Sequence, residues 1–169
     1  MITTATKEDA PALEKLINSA YRGESSKLGW TTESNLLEGK RITEEELLEL
    51  FNNKQNTILK FTENDAILGC VLLENKGDKL YLGMLSVSPK LQNSGIGKKL
   101  LKEAEIHALS LGLSKIVMTV ITLRDKLIAW YNRYGYVDTG VREPFQLNDH
   151  DTIISEEPFE FIVLEKKIA

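Results

Sequence analysis

Cysteine is almost absent from this chain. Cys70 stands alone among 169 residues, so no internal disulfide can staple the fold. Histidine is scarce as well: His107 and His150 are far apart in the sequence, and with one cysteine they offer no zinc-ligand spacing, so no metal is expected. Asp149-His150-Asp151 resembles a metal triplet but reads better as a solvated loop. Cys70 lies in the apolar, strand-like run Ile67 to Leu73, where a thiol is buried and inert rather than nucleophilic. No apolar run reaches the roughly 20 residues of a membrane helix. The opening Met1-Ile2-Thr3-Thr4 carries no apolar leader, so a cytoplasmic location is expected. Positive charge is also short, with 21 Lys and Arg against 25 Asp and Glu and a formal net charge of −4. That balance argues against nucleic acid or an anionic membrane as the main partner. Repeats and low-complexity tracts are missing.

At 42% hydrophobic and 27% charged residues, the chain has the composition of one globular domain spanning residues 1–169, long enough to bury a sizeable core. Ile2 to Ala5 reads as a strand. Thr6, with Asp9 three residues on and Pro11 early, opens a helix whose apolar face is Leu13, Leu16, Ile17 and Ala20. Residues 23–42 form a polar, glycine-interrupted loop carrying Trp30. Thr43 and Glu46 have capping-box spacing before a short helix through Phe51. Thr57 to Phe61, Ala66 to Leu73 and Leu80 to Ser88 read as a three-stranded meander. A long amphipathic helix follows from Ser94 to about Leu111, then a strand over Lys115 to Ile121 and a helix over Arg124 to Tyr134. Strands over Tyr136 to Val141 and Glu160 to Lys166 close the chain, separated by a long loop. The strand–helix–strand unit from Leu80 to Ile121 needs a parallel pair, and the other strands can pair antiparallel. The expected architecture is α/β: a mixed, mostly antiparallel sheet with helices on both faces. Edge strands in the C-terminal half are candidates for a homodimer contact.

The richest stretch is Gln92-Asn93-Ser94-Gly95-Ile96-Gly97, between a strand and a long helix, with Lys98 and Lys99 after it. Two glycines at a helix mouth leave N–H groups bare and admit a ligand closely, and the helix dipole favours an anion there, so a phosphate is expected. It is not a P-loop, because Gln92 and Lys99 stand where a glycine and a Ser or Thr are required. It is not a dinucleotide fingerprint either, because Leu100 replaces the third glycine.

The spacing Gln-x-x-Gly-x-Gly after Leu85-Ser86-Val87-Ser88-Pro89 resembles the coenzyme A pyrophosphate loop of the GCN5-related N-acetyltransferase (GNAT) superfamily. A second stretch, Trp130-Tyr131-Asn132-Arg133-Tyr134-Gly135-Tyr136, is similar to that family's aromatic-Tyr signature. The order of elements matches over nearly the whole chain, while the specific motifs lie between Leu80 and Gly140.

The resemblance implies acetyl-CoA as cofactor and direct attack by an amine on its thioester. The N–H groups of Gln92, Asn93, Ser94, Gly95, Ile96, Gly97 and Lys98 would hold the pyrophosphate. The backbone of Leu85 and Val87 would pair with the pantetheine arm like an added strand, with a Leu85 N–H polarising the thioester oxygen. Tyr131 would be the general acid towards the leaving thiolate, with Tyr134 its rival one turn on. Where the family commonly has an asparagine, this chain has Arg124. Arginine cannot accept a hydrogen bond, so Arg124 either meets a cofactor phosphate or pairs with an acid at the surface.

No acid lies on Leu80 to Ser88, so a general base must be water or come from elsewhere, with Glu24, Glu33 and Glu143 as candidates. Arg22, Glu24, Trp30, Glu33 and Arg142 are the expected substrate-side residues, and two arginines would favour a carboxylate on the acceptor. The expected activity is acetylation of a primary amine on a small molecule or amino acid. The alternatives are a protein N-terminal or lysine acetyltransferase, a non-catalytic acyl-CoA sensor, and an interaction domain whose Gly-x-Gly is only a turn.

Overall fold

The computed structural model describes residues 1–169, the side chain of Glu24 excepted. The elements are β1 (Ile2–Thr4), α1 (Ala10–Tyr21), α2 (Gly23–Ser26), β2 (Leu37–Glu38), α3 (Glu44–Asn52), β3 (Asn56–Glu63), β4 (Ala66–Asn75) and β5 (Leu80–Val87). Then come α4 (Ile96–Ser110), β6 (Lys115–Ile121), α5 (Asp125–Arg133), β7 (Val137–Glu143), β8 (Thr152–Ile153) and β9 (Phe161–Lys167). Seven strands form one sheet in the order β1-β3-β4-β5-β6-β9-β7, and β2 and β8 make a small separate ladder. Within the described residues, β5 and β6 form the one parallel pair of the large sheet. The mixed, mostly antiparallel sheet expected from the sequence is therefore present. The β2–β8 ladder lies where the sequence reads as loop, because two-residue strands carry no periodicity to detect.

Local signals set the helix ends. Thr43 Oγ1 accepts the Glu46 N–H, and the Glu46 carboxylate accepts the Thr43 N–H at 3.0 Å, a reciprocal cap. The long helix begins at Ile96 rather than at Ser94, because Gly95 takes the left-handed conformation at φ 91° and turns the chain into the first turn.

β4 carries no polar side chain from Ile67 to Leu73, and β3 buries both Ile58 and Leu59, because both faces of the sheet are covered. Ile58, Cys70 and Leu72 pack against α1 and α3 through Leu13, Ile17 and Leu47. Their neighbours Leu59, Val71 and Leu73 face the other way, against Leu100, Ala104 and Tyr131. Cys70 is buried, and burial pushes its thiol up to about 12, so it holds no reactive thiolate near neutrality. No helix of the described residues is long and apolar enough to cross a membrane, and among them no cluster of His, Cys, Asp or Glu could hold a metal ion.

The feature that creates a site is a gap in the sheet. β5 and β6 pair only at Leu80 with Ile116 and Tyr81 with Val117, then part. β5 bends away through an extra residue: Cys70 faces Ser86 while Leu72 faces Gly83, and Met84 takes φ 51°. One added residue in a strand bends it and increases its local twist.

Candidate active site

The mouth of α4 lies at one end of the gap. Its first ladder bond runs from Lys99 N–H to Gly95 O, so the N–H groups of Ile96, Gly97 and Lys98 project from the helix end. The Ile96 side chain is buried in the core, leaving only its backbone for a ligand. Ser94 contributes less than its place in the motif suggests, because its N–H closes a turn onto Leu91 O and its side chain is exposed. Asn93, at φ 73°, Gly95, Gly97 and Lys98 line a cavity of about 260 Å³ that runs to α5. A Cβ on Gly97 would stand 3.2 Å from the Trp130 ring, so any side chain there presses on that ring.

Gln92 also lines that cavity, and its side chain is committed to protein partners. Its Oε1 accepts the N–H of Trp30 at 2.7 Å and of Thr31 at 3.2 Å, and its Nε2 donates to Thr31 Oγ1 and to Val87 O. A Cβ on Gly29 would fall 2.2 Å from Gln92 Oε1, so a glycine there makes the contact possible. The result pins the loop before Glu33 onto the loop that leads into α4. Trp30, expected on the substrate side, consequently lines the helix-mouth cavity, with its ring 6.1 Å from that of Trp130.

A second cavity of about 170 Å³ lies on the other side of the gap, and Leu85, Leu127 and Tyr131 line both. Ser88 N–H donates to Leu68 O, towards β4. Peptide groups alternate along a strand, so those of Leu85 and Val87 face the gap. Their carbonyls already have protein donors. The Tyr21 hydroxyl donates to Leu85 O, and Gln92 Nε2 to Val87 O. The two N–H groups are what this edge presents to a ligand, and Tyr21, buried at the end of α1, orients the Leu85 peptide. The sequence reading missed Tyr21, since it looks like the last residue of an amphipathic face.

Tyr131 is 5% exposed, packed edge-on against Trp130 and Tyr136. Burial raises its phenol well above the usual tyrosine range, so it is protonated at any physiological pH. Tyr134 lines only the helix-mouth cavity.

The second cavity is walled by a buried ion network. Arg22 Nε donates to Glu33 Oε1 at 2.8 Å, and Arg22 Nη1 to Asp151 Oδ1 at 2.9 Å and Gly39 O at 3.1 Å. Arg124 reaches Glu33 Oε2 at 3.4 Å and also donates to Thr31 O. These contacts revise four expectations. Arg124 is committed to Glu33 and the Thr31 carbonyl, and does not line the helix-mouth cavity; its acid partner is buried rather than at the surface. Glu33 is shared by two guanidiniums and is not a free base. The Asp151 side chain is buried against Arg22, the residue that caps the end of α1, rather than solvated. Arg142 stands on β7 in an exposed two-pronged pair with Asp138, away from both cavities. Glu143 is exposed beside a hollow that shares Thr119, Gln146 and Phe161 with the second cavity, and the Glu24 side chain lies outside the described residues.

The model of the acetyltransferase (GNAT) domain matches residues 24–148. The chain belongs to the GNAT family. Acetyl-CoA is the acetyl donor of GNAT acetyltransferases. A GNAT relative, the Probable N-acetyltransferase 14 of Xenopus tropicalis, is 36% identical over 80 residues; the match covers 46% of this chain and 39% of that protein. Among solved GNAT structures, PaiA N-acetyltransferase from Thermoplasma acidophilum, in complex with coenzyme A, is 20% identical with a TM-score of 0.70. That alignment covers 99% of this chain and 98% of PaiA. The ribosomal-protein-S18-alanine N-acetyltransferase of Escherichia coli is 15% identical with a TM-score of 0.72, over 100% and 94% of the two chains. At these identities the GNAT fold is what is shared, and the fold alone does not select an acceptor.

Proposed function

We propose that this chain transfers the acetyl group of acetyl-CoA to the primary amine of a small molecule, by direct attack within a ternary complex. The observation that carries this reading is the junction of the two cavities at Leu85 and Tyr131. One cavity ends in bare helix N–H groups suited to a pyrophosphate. The other is small and walled by buried ion pairs that tie the loops across it, which suits a compact acceptor better than an extended peptide.

Acetyl-CoA supplies an activated acetyl thioester. The N–H groups of Ile96, Gly97 and Lys98 hold its pyrophosphate and thereby place the thioester. The Leu85 N–H, its peptide oriented by Tyr21, donates to the oxygen on which negative charge develops. The Tyr131 phenol donates a hydrogen bond to the departing sulfur. Both carboxylates of the acceptor cavity are held in ion pairs, so water takes the proton from the amine. Overall a C–N bond forms and the C–S bond breaks, and the proton the amine gives to water is matched by one that water returns to the sulfur, which leaves as the thiol.

At about 100 times its dissociation constant, acetyl-CoA is expected to stabilise the chain by roughly 2.7 kcal/mol, read as a melting shift. Gly97→Asp, which puts a carboxylate at the helix mouth and crowds Trp130, should abolish it. For the acceptor, release of coenzyme A thiol should be seen with free amines and not with peptides bearing the same N-terminal residue. Turnover of peptides without turnover of free amines would reverse the assignment to a protein acetyltransferase.

A further inference from the structure

We propose that the acceptor carries a carboxylate, and that Arg41 binds it; this rests on the small-amine reading above. Three arginines and two carboxylates line the acceptor cavity: Arg22, Arg41, Arg124, Glu33 and Asp151. Arg22 and Arg124 are consumed by the two acids and by backbone carbonyls. No hydrogen bond or ion pair to the Arg41 guanidinium is found among the described residues. Arg41 is thus the source of the cavity's one excess positive charge.

Its backbone, by contrast, is tightly held. Asn18 Oδ1 accepts the N–H of Arg41 at 2.6 Å and of Ile42 at 3.2 Å, while Asn18 Nδ2 donates to Ile42 O at 2.9 Å and Glu14 O at 3.0 Å. One carboxamide thus seats Arg41 on α1, and Ile42 is buried in the core beside it. A fixed base with an uncommitted guanidinium is a binding group held ready. Arg41 also sits near the reaction centre. Burial raises the Tyr21 phenol, and the positive charges of Arg124 and Arg41 pull it back, so both act on the residue that orients Leu85.

A single free guanidinium matches a single carboxylate in a two-pronged pair, and one excess positive charge balances one negative. A dianionic phosphate would leave the cavity net negative, and a diamine would add like charge to it. The assignment also replaces Arg22 and Arg142, one internally paired and the other remote, as the acceptor's anion partner.

The test compares each of the twenty L-amino acids, β-alanine and 4-aminobutyrate with its own carboxamide, and uses 1,5-diaminopentane as a cationic comparator. The wild-type chain should favour the best acid over its carboxamide by about tenfold or more in kcat/KM. Arg41→Gln should erase that preference through KM for the acid, and Arg41→Lys should restore part of it. KM and the melting shift for acetyl-CoA should be unchanged in both variants. Equal or better use of carboxamides or the diamine by the wild type overturns the carboxylate while leaving the small-amine function standing. A preference that survives Arg41→Gln overturns Arg41 as its reader. Failure to acetylate any free amine overturns both.

Discussion

Tyr131→Phe is expected to lower kcat by about 10²–10³-fold, the range for loss of one positioned hydrogen-bond donor, with KM for acetyl-CoA nearly unchanged. The side chain is buried where the two cavities meet, so the change removes one hydroxyl and leaves the packing against Trp130 and Tyr136 intact. Burial raises this phenol, and the sign of the effect follows: the donor form persists through the ordinary tyrosine range near pH ~10, and any loss of rate from its ionisation begins above that. Such a phenol is a weaker acid than the thiol it serves, so its work is hydrogen-bond donation to the departing sulfur more than complete proton transfer. Tyr134→Phe, outside the acceptor cavity, should change kcat little. Single-turnover measurements on both variants separate the chemical step from product release. Full activity in Tyr131→Phe would remove the phenol from the mechanism, and a chain that binds acetyl-CoA without turning over any amine would be a sensor.

Glu33→Ala is expected to cost about 3–5 kcal/mol of stability, because it takes a buried anionic partner from two guanidiniums at once and leaves Arg124 with the Thr31 carbonyl alone. The three side chains are 5–8% exposed, so water cannot replace the lost partner cheaply. Urea unfolding should show the midpoint falling with little change in slope. The measurement also separates two roles for the same acid. A general base would give Glu33→Gln a stable fold and a kcat deficit that shrinks as pH rises and the amine deprotonates unaided. A structural acid gives instead a lower melting temperature, restored in part by acetyl-CoA, with no new pH dependence.

Much of this molecule is legible in its sequence. The Thr43–Glu46 cap, the apolar face of α1, the doubly buried strands and the Gly95–Gly97 turn into α4 are all set by residues close together in the chain, so period and spacing report them. The helix-mouth loop is legible for the same reason: its bare N–H groups follow from a glycine and a helix start. Gln92 sits in that loop too, but its side chain works elsewhere, clasping Trp30 and Thr31 some sixty residues away in sequence. Nothing local could announce that.

The acceptor side was decided by tertiary structure alone. Glu33, Arg22, Arg124 and Arg142 look equivalent in the sequence, as charged residues in loops or beside a helix. What separates them is which opposite charge the fold delivers. Arg22 meets Asp151 across 129 residues and Glu33 across 11, Arg124 meets Glu33 across 91, and Arg142 closes locally on Asp138. Arg41, unremarked in the sequence, is left over. A charge that is paired in a core is architecture, and one that is left unpaired at a cavity wall is a binding group. The sequence by itself determined the main strands, the helices and the glycine turn into α4, because those depend on short-range periodicity and backbone geometry. Which arginine is free depends on a long-range charge count that only the folded loops can complete.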